Sequence, residues 1–75
     1  MATRATHSAR YREFLKRLRA LRLAAGLRQV EVARRLGKPQ SFVSKSENGE
    51  RRVDVVELDQ FARLYERRLD EFVGR

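Results

Sequence analysis

The sequence has no cysteine, and its only histidine is His7. Without thiols there is neither a disulfide framework nor a cysteine zinc site. No apolar run approaches the roughly 20 residues that a membrane-spanning helix needs. Glycine occurs four times in 75 residues, and none of the four belongs to a phosphate-cradling loop. The carboxylates are scattered, and no nucleophile is paired with a base. An enzyme, a cofactor and a metal site are therefore not expected. Met1-Ala2-Thr3-Arg4 leads into no apolar stretch, so no secretion signal is read, and the expected location is the cytoplasm.

Basic residues are what the chain has in abundance. Lys and Arg total 18 against 10 Asp and Glu, a net charge of +8. Such a balance favours a polyanionic partner. Fifteen of the cations are arginine, the side chain best suited to forked hydrogen bonds with phosphate. The surplus is uneven: residues 1–28 carry eight cations and one carboxylate, and residues 29–75 carry ten and nine. A basic face that is merely solvated explains many of these charges equally well, so charge alone does not place a binding surface. The apolar content of 41% suffices for one small core.

Periodicity divides the chain into five short helices and shows no strand alternation, so the fold class is all-α. Residues 1–7 read as a flexible N-terminal tail, and 8–75 as one domain. Ser8 is a cap for the first helix. Tyr11, Phe14, Leu15, Leu18, Leu21, Arg22 and Ala25 form its inner stripe, and Gly26 ends it. A second helix from Gln29 to Leu36 turns Val32, Ala33 and Leu36 inward and closes at Gly37. Pro39 suits the first turn of a third helix, which Asn48-Gly49 stops. Asp54 with Glu57 three residues on resembles a capping box. The fourth helix then carries Val55, Leu58, Phe61, Ala62 and Tyr65 on its inner face. Glu66-Arg67-Arg68 breaks it, and a last helical turn spans Leu69 to Val73.

The informative feature is the joint at Gly37. Two helices of about eight residues meet there with almost no loop, which forces a sharp crossing. That is the pattern of a helix-turn-helix, whose second helix enters the DNA major groove.

The residues around this joint are Leu21-Arg22, Gly26-Leu27-Arg28-Gln29, Val32-Ala33-Arg34-Arg35-Leu36-Gly37, Gln40-Ser41-Phe42-Val43-Ser44-Lys45, Glu47-Asn48-Gly49-Glu50-Arg51, Leu58 and Phe61-Ala62. Together they resemble the phage-repressor-like (Xre/Cro type) helix-turn-helix family over residues 15 to 72. The resemblance implies a compact, lambda-repressor-like five-helix domain with helices 2 and 3 as the helix-turn-helix. It also implies a DNA-binding transcriptional regulator, a repressor that binds a pseudo-palindromic operator as a homodimer and is associated with the nucleoid. Neither a membrane nor a small-molecule ligand is implied as a partner.

On that footing Gln40, Ser41, Ser44 and Lys45 are the candidate base contacts. Glutamine can pair with adenine N6 and N7, and lysine can donate to guanine O6 and N7. Gln29, Asn48, Arg51 and Arg52 are candidate phosphate contacts, the two arginines being otherwise part of a solvated loop. Phe42 either packs inward or lies against a thymine methyl or a sugar. Arg22 and Glu47 are expected to form a partly buried structural ion pair, as the matching residues do in the family. Tyr65, Leu69, Phe72 and Val73 either form a dimer interface or close the monomer core. Ser46 departs from the family, which places a large apolar or aromatic residue there, and the expectation is that Ser46→Tyr or Ser46→Ile stabilises the domain. An alternative function is a protein-interaction module, such as an antitoxin that binds a partner protein and autoregulates.

Overall fold

The computed structural model describes residues 8–74. The tail expected over residues 1–7 lies outside them, as does Arg75. Five helices occur among the described residues: α1 Ala9–Ala24, α2 Gln29–Leu36, α3 Gln40–Asn48, α4 Val55–Tyr65 and α5 Asp70–Val73.

Each boundary has a local cause. The Ser8 hydroxyl accepts from the Tyr11 N–H at 3.1 Å and caps α1. Glu31 reaches back to the Arg28 N–H at 2.8 Å and supports the start of α2. Asp54 and Glu57 exchange side-chain to backbone bonds of 2.8 and 3.1 Å, a reciprocal box opening α4. Pro39 stands just before α3 as its cap, with an extended ψ of 156°, one residue earlier than the first-turn position expected for it. The proline ring still presets the approach to the helix, and Phe42 N–H bonds the Pro39 carbonyl at 3.0 Å.

The α2–α3 joint depends on Gly37, which ends α2 with φ +70°. A side chain at that φ is strained, so glycine is the low-cost occupant. Lys38 N–H then bonds the Ala33 carbonyl at 2.9 Å, and the chain turns directly into α3. At the end of α4 the same left-handed conformation falls on Glu66, a non-glycine residue with φ +59°.

α1 packs against α3 and α5, and α2 packs against α3. From α1 the core receives Phe14 and Leu18, from α2 Val32 and Ala33, and from α3 Val43. An aromatic row completes it: Phe42, Phe61, Tyr65 and Phe72 follow one another with ring centroids 6.0 to 6.3 Å apart. Phe42 thus packs inward on Phe61, although it remains half-buried.

Two expectations change here. Val55 is 71% exposed, because the apolar face of α4 meets the core only one turn later, at Leu58 and Phe61. Tyr65 and Phe72, expected as candidates for a dimer surface, are 4% and 0% exposed. A core this small recruits its last two large rings from the C-terminal helices. Of the four residues, only Leu69 and Val73 remain on the surface.

Candidate nucleic-acid interface

α3 is held from beneath by polar as well as apolar contacts. Glu47, in its last turn, receives the Arg22 guanidinium as a fork, Nε to Oε2 at 2.6 Å and Nη2 to Oε1 at 3.1 Å. Both side chains are more than nine-tenths buried. The third guanidinium nitrogen, Nη1, donates to the Leu27 carbonyl at 2.9 Å, so one arginine ties α1, the α1–α2 loop and α3 together. The bond to Glu47 holds the Arg22 pKa above its ordinary value, against the opposing cost of burial.

Gln29 joins the same carboxylate, its amide nitrogen donating to Glu47 Oε1 at 3.0 Å. An acceptor at that position fixes which end of the amide points inward. The amide has a second N–H, and it stands at the start of α2, where backbone donors and the helix dipole favour an anion. The sequence suggested Gln29 and Glu47 separately, for different reasons. Only the fold reveals that they touch.

A second cluster supports the far end of α3. Arg51 forks onto Glu57 at 2.9 and 2.8 Å, and its Nη1 also donates to the Ser46 hydroxyl at 3.2 Å. Ser46 in turn donates to the Phe42 carbonyl one turn back, at 2.7 Å. The Arg51 guanidinium lies 4.5 Å over the Phe42 ring, with Lys38 Nζ at 5.2 Å from it. Arg51, expected on phosphate, thus has its guanidinium committed to an internal strut between the α3–α4 loop and α4. The fork lowers the Glu57 pKa below the carboxylate range and raises that of Arg51. Ser46 is fully buried with its hydroxyl both donating and accepting. Its place is a polar node of the fold, not a gap awaiting a larger side chain. Nothing in the sequence pointed to this role, since Glu57 was legible only as half of a cap.

The outer side of α3 is different. Gln40, Ser41 and Lys45 are exposed and Ser44 is half-buried. None of the four side chains has a hydrogen-bond partner among the described residues. Asn48 and Glu50 bond each other at the end of the helix, at 3.0 and 3.2 Å. Arg52 is exposed, with its guanidinium 4.5 Å over the Tyr11 ring. The Tyr11 hydroxyl accepts from the Val53 N–H at 3.0 Å, which ties this loop to α1.

A short helix thus stands on a buried ionic seat, abuts its predecessor across one left-handed glycine, and keeps an uncommitted polar face outward. That arrangement defines the helix-turn-helix class of DNA-binding regulators. Comparison with known proteins agrees. Residues 13–72 match the family described as a helix-turn-helix domain. A solved structure of an XRE-family like protein from Pseudomonas syringae pv. tomato str. DC3000 is 48% identical. The match covers 97% of this chain and 89% of that one, with a TM-score of 0.83. No curated protein matches the chain. The chain belongs to the Xre-type helix-turn-helix family, a family of DNA-binding regulators. No helix among the described residues is long and apolar enough to cross a membrane.

Proposed function

We propose that this protein is a sequence-specific transcriptional repressor that binds a pseudo-palindromic operator as a homodimer, with α3 in the major groove. The observation that carries this reading is the contrast between the two sides of α3. Inward, Glu47 and Ser46 are fully bonded. Outward, Gln40, Ser41, Ser44 and Lys45 keep their donors and acceptors for bases. Gln29, Asn48 and Arg52 flank that face and grip phosphate, which sets register without reading sequence. Arg51 acts indirectly by holding the loop that carries Arg52.

The two-fold contact is assigned to the exposed pair Leu69 and Val73. Symmetry about such a patch repeats α3 about one DNA turn away, roughly 34 Å. Occupancy of the operator then depends on protein concentration through dimerisation.

Selection of bound duplexes from a random pool tests the reading. A palindromic consensus is the expected result, with binding that weakens steeply as salt rises. Gln40→Ala with Lys45→Gln relaxes the consensus while leaving the fold intact by circular dichroism. Equal binding to every duplex, or a strict monomer in sedimentation on and off the operator, overturns the proposal.

A further inference from the structure

The face that α3 turns outward ends on a carboxylate. At about 100° of turn per residue, Gln40, Ser44, Asn48, Ser41 and Lys45 fall within an arc of about 140°, and Asn48 lies near its middle. The other side of the helix belongs to Phe42, Val43, Ser46 and Glu47, which pack toward the fold. Asn48 is exposed, and Glu50 is fastened to it.

Gly49 ends α3 with φ +86° and returns the chain toward the helix. The Glu50 N–H then donates to the Lys45 carbonyl at 3.0 Å and to the Asn48 amide oxygen at 3.0 Å. In return the Asn48 amide nitrogen donates to Glu50 Oε2 at 3.2 Å. This reciprocal clasp assigns the two ends of the amide. Together with the backbone bond it holds the Glu50 carboxylate at the C-terminal edge of the outward face. Glu50 is exposed, and no ion pair joins it to a cation among the described residues. The next two arginines are turned elsewhere, Arg51 onto Glu57 and Arg52 over the Tyr11 ring. The charge does not favour α3 itself, since the dipole is already negative at this end of a helix.

We propose that Glu50 is an affinity-limiting residue, whose carboxylate opposes the phosphates that approach Asn48 and weakens binding to every duplex by a similar factor. One N–H of the Asn48 amide is left for phosphate, but the anion reaches it beside a fixed negative charge. A unit charge about 7 Å from a phosphate changes binding about threefold in water, and by more where water is excluded. The penalty falls on the backbone, which carries no sequence information, so the bases preferred by α3 are unaltered. Duplexes held by phosphate contacts alone are the first to be released. The inference rests on the reading of α3 as the major-groove helix, but not on dimerisation or on the identity of the operator.

The test is Glu50→Gln, whose side-chain oxygen can still accept from Asn48 and whose backbone bonds are unchanged. Binding to the selected operator and to a scrambled duplex is measured over a salt series, with folding checked by circular dichroism. The variant is expected to bind both duplexes about 3- to 10-fold more tightly at low salt. Screening shrinks the gain as salt rises, so the slope of log K against log salt steepens by up to about 1. The selected consensus is expected to stay the same. Glu66→Gln removes the same charge from the end of α4 and is expected to change binding by less than about twofold. Unchanged or weaker binding by Glu50→Gln overturns the inference, as it would if the clasp were only a strut. An equal gain from Glu66→Gln also overturns it, making it an effect of net charge. So does a loss confined to the operator with the consensus relaxed at one position, which makes Glu50 a base reader, such as an acceptor from cytosine N4. If wild type shows no DNA binding at any salt, the proposed function itself has failed, a result distinct from all of these.

Discussion

α1 and the α4–α5 region precede and follow the helix-turn-helix in the chain and treat charge in opposite ways. α1 has six cations and one carboxylate, whereas residues 54–73 have three cations and six carboxylates. In α4 and the segment following it, every arginine pairs with a nearby acid, and Asp54, Glu57 and Glu71 also accept from backbone N–H groups. Charge there builds local structure. In α1, Arg22 pairs with Glu47 and Arg17 with Glu13. Arg22 is the exception that shows the rule: once buried, a cation must be matched, and it is matched across the fold by Glu47. Lys16 and Arg19, by contrast, stay exposed and make no ion pair or hydrogen bond with a described residue. Sequence charge thus says little until burial and partners are known.

Mutations that test this contrast run from large to small. Glu47→Gln strands the buried Arg22, and a loss of about 3 kcal/mol is expected. For a domain of this size that lowers Tm by more than roughly 10 °C in thermal denaturation. A wild-type Tm would remove the distinction between buried and surface cations. Ser46→Ile is expected to destabilise by about 2 kcal/mol, by overpacking a filled site and leaving Arg51 short of an acceptor. This reverses the gain anticipated from family pattern alone, and a higher Tm would restore the earlier reading.

Glu57→Gln removes the most buried acid of the C-terminal region, at a cost of about 1–2 kcal/mol near neutral pH. Because Arg51 lowers the Glu57 pKa, the folded state binds this proton less readily than the unfolded state does. Its stabilisation is complete above the ordinary carboxylate pKa, about 4.3, and fades as pH falls through the lowered value. The Tm gap between wild type and variant should therefore hold steady from neutral pH to about 5 and narrow below it. A gap constant into strong acid would mean that the pair contributes by packing alone.

Tyr65→Phe works in the other direction. The Tyr65 hydroxyl is buried without a hydrogen-bond partner among the described residues, and burial pushes its pKa up. Removing it is expected to stabilise by about 1 kcal/mol. The raised pKa also means that the wild type, but not the variant, loses stability as pH rises past about 10. Chemical denaturation at neutral and alkaline pH checks both. The smallest effect is on exposed Lys16 of α1, where Lys16→Gln relieves repulsion from Arg12 and Arg19 at helical spacing and is expected to raise stability by a few tenths of a kcal/mol, a gain that high salt erases. A loss of stability instead would show that Lys16 has a structural partner after all.

The helix count, the caps at Ser8 and Asp54 and the glycine stops were legible in the sequence because each is a local rule acting within a few residues. So was the helix-turn-helix, since a single glycine between two short amphipathic helices leaves the chain few ways to turn. The resemblance to the family added Arg22 with Glu47, a pair 25 positions apart that no local rule connects. Only the tertiary structure decided that Gln29 joins that pair, that Arg51 braces Ser46 and Glu57, and that Tyr65 and Phe72 belong to the core while Val55 faces solvent. Those outcomes depend on which surfaces are left to cover once the helices pack, and periodicity marks a face as apolar without saying what will meet it. For the same reason the eight cations of residues 1–28 read as one basic block in the sequence. Packing then divided α1 between the buried anchor Arg22 and exposed cations such as Lys16 and Arg19.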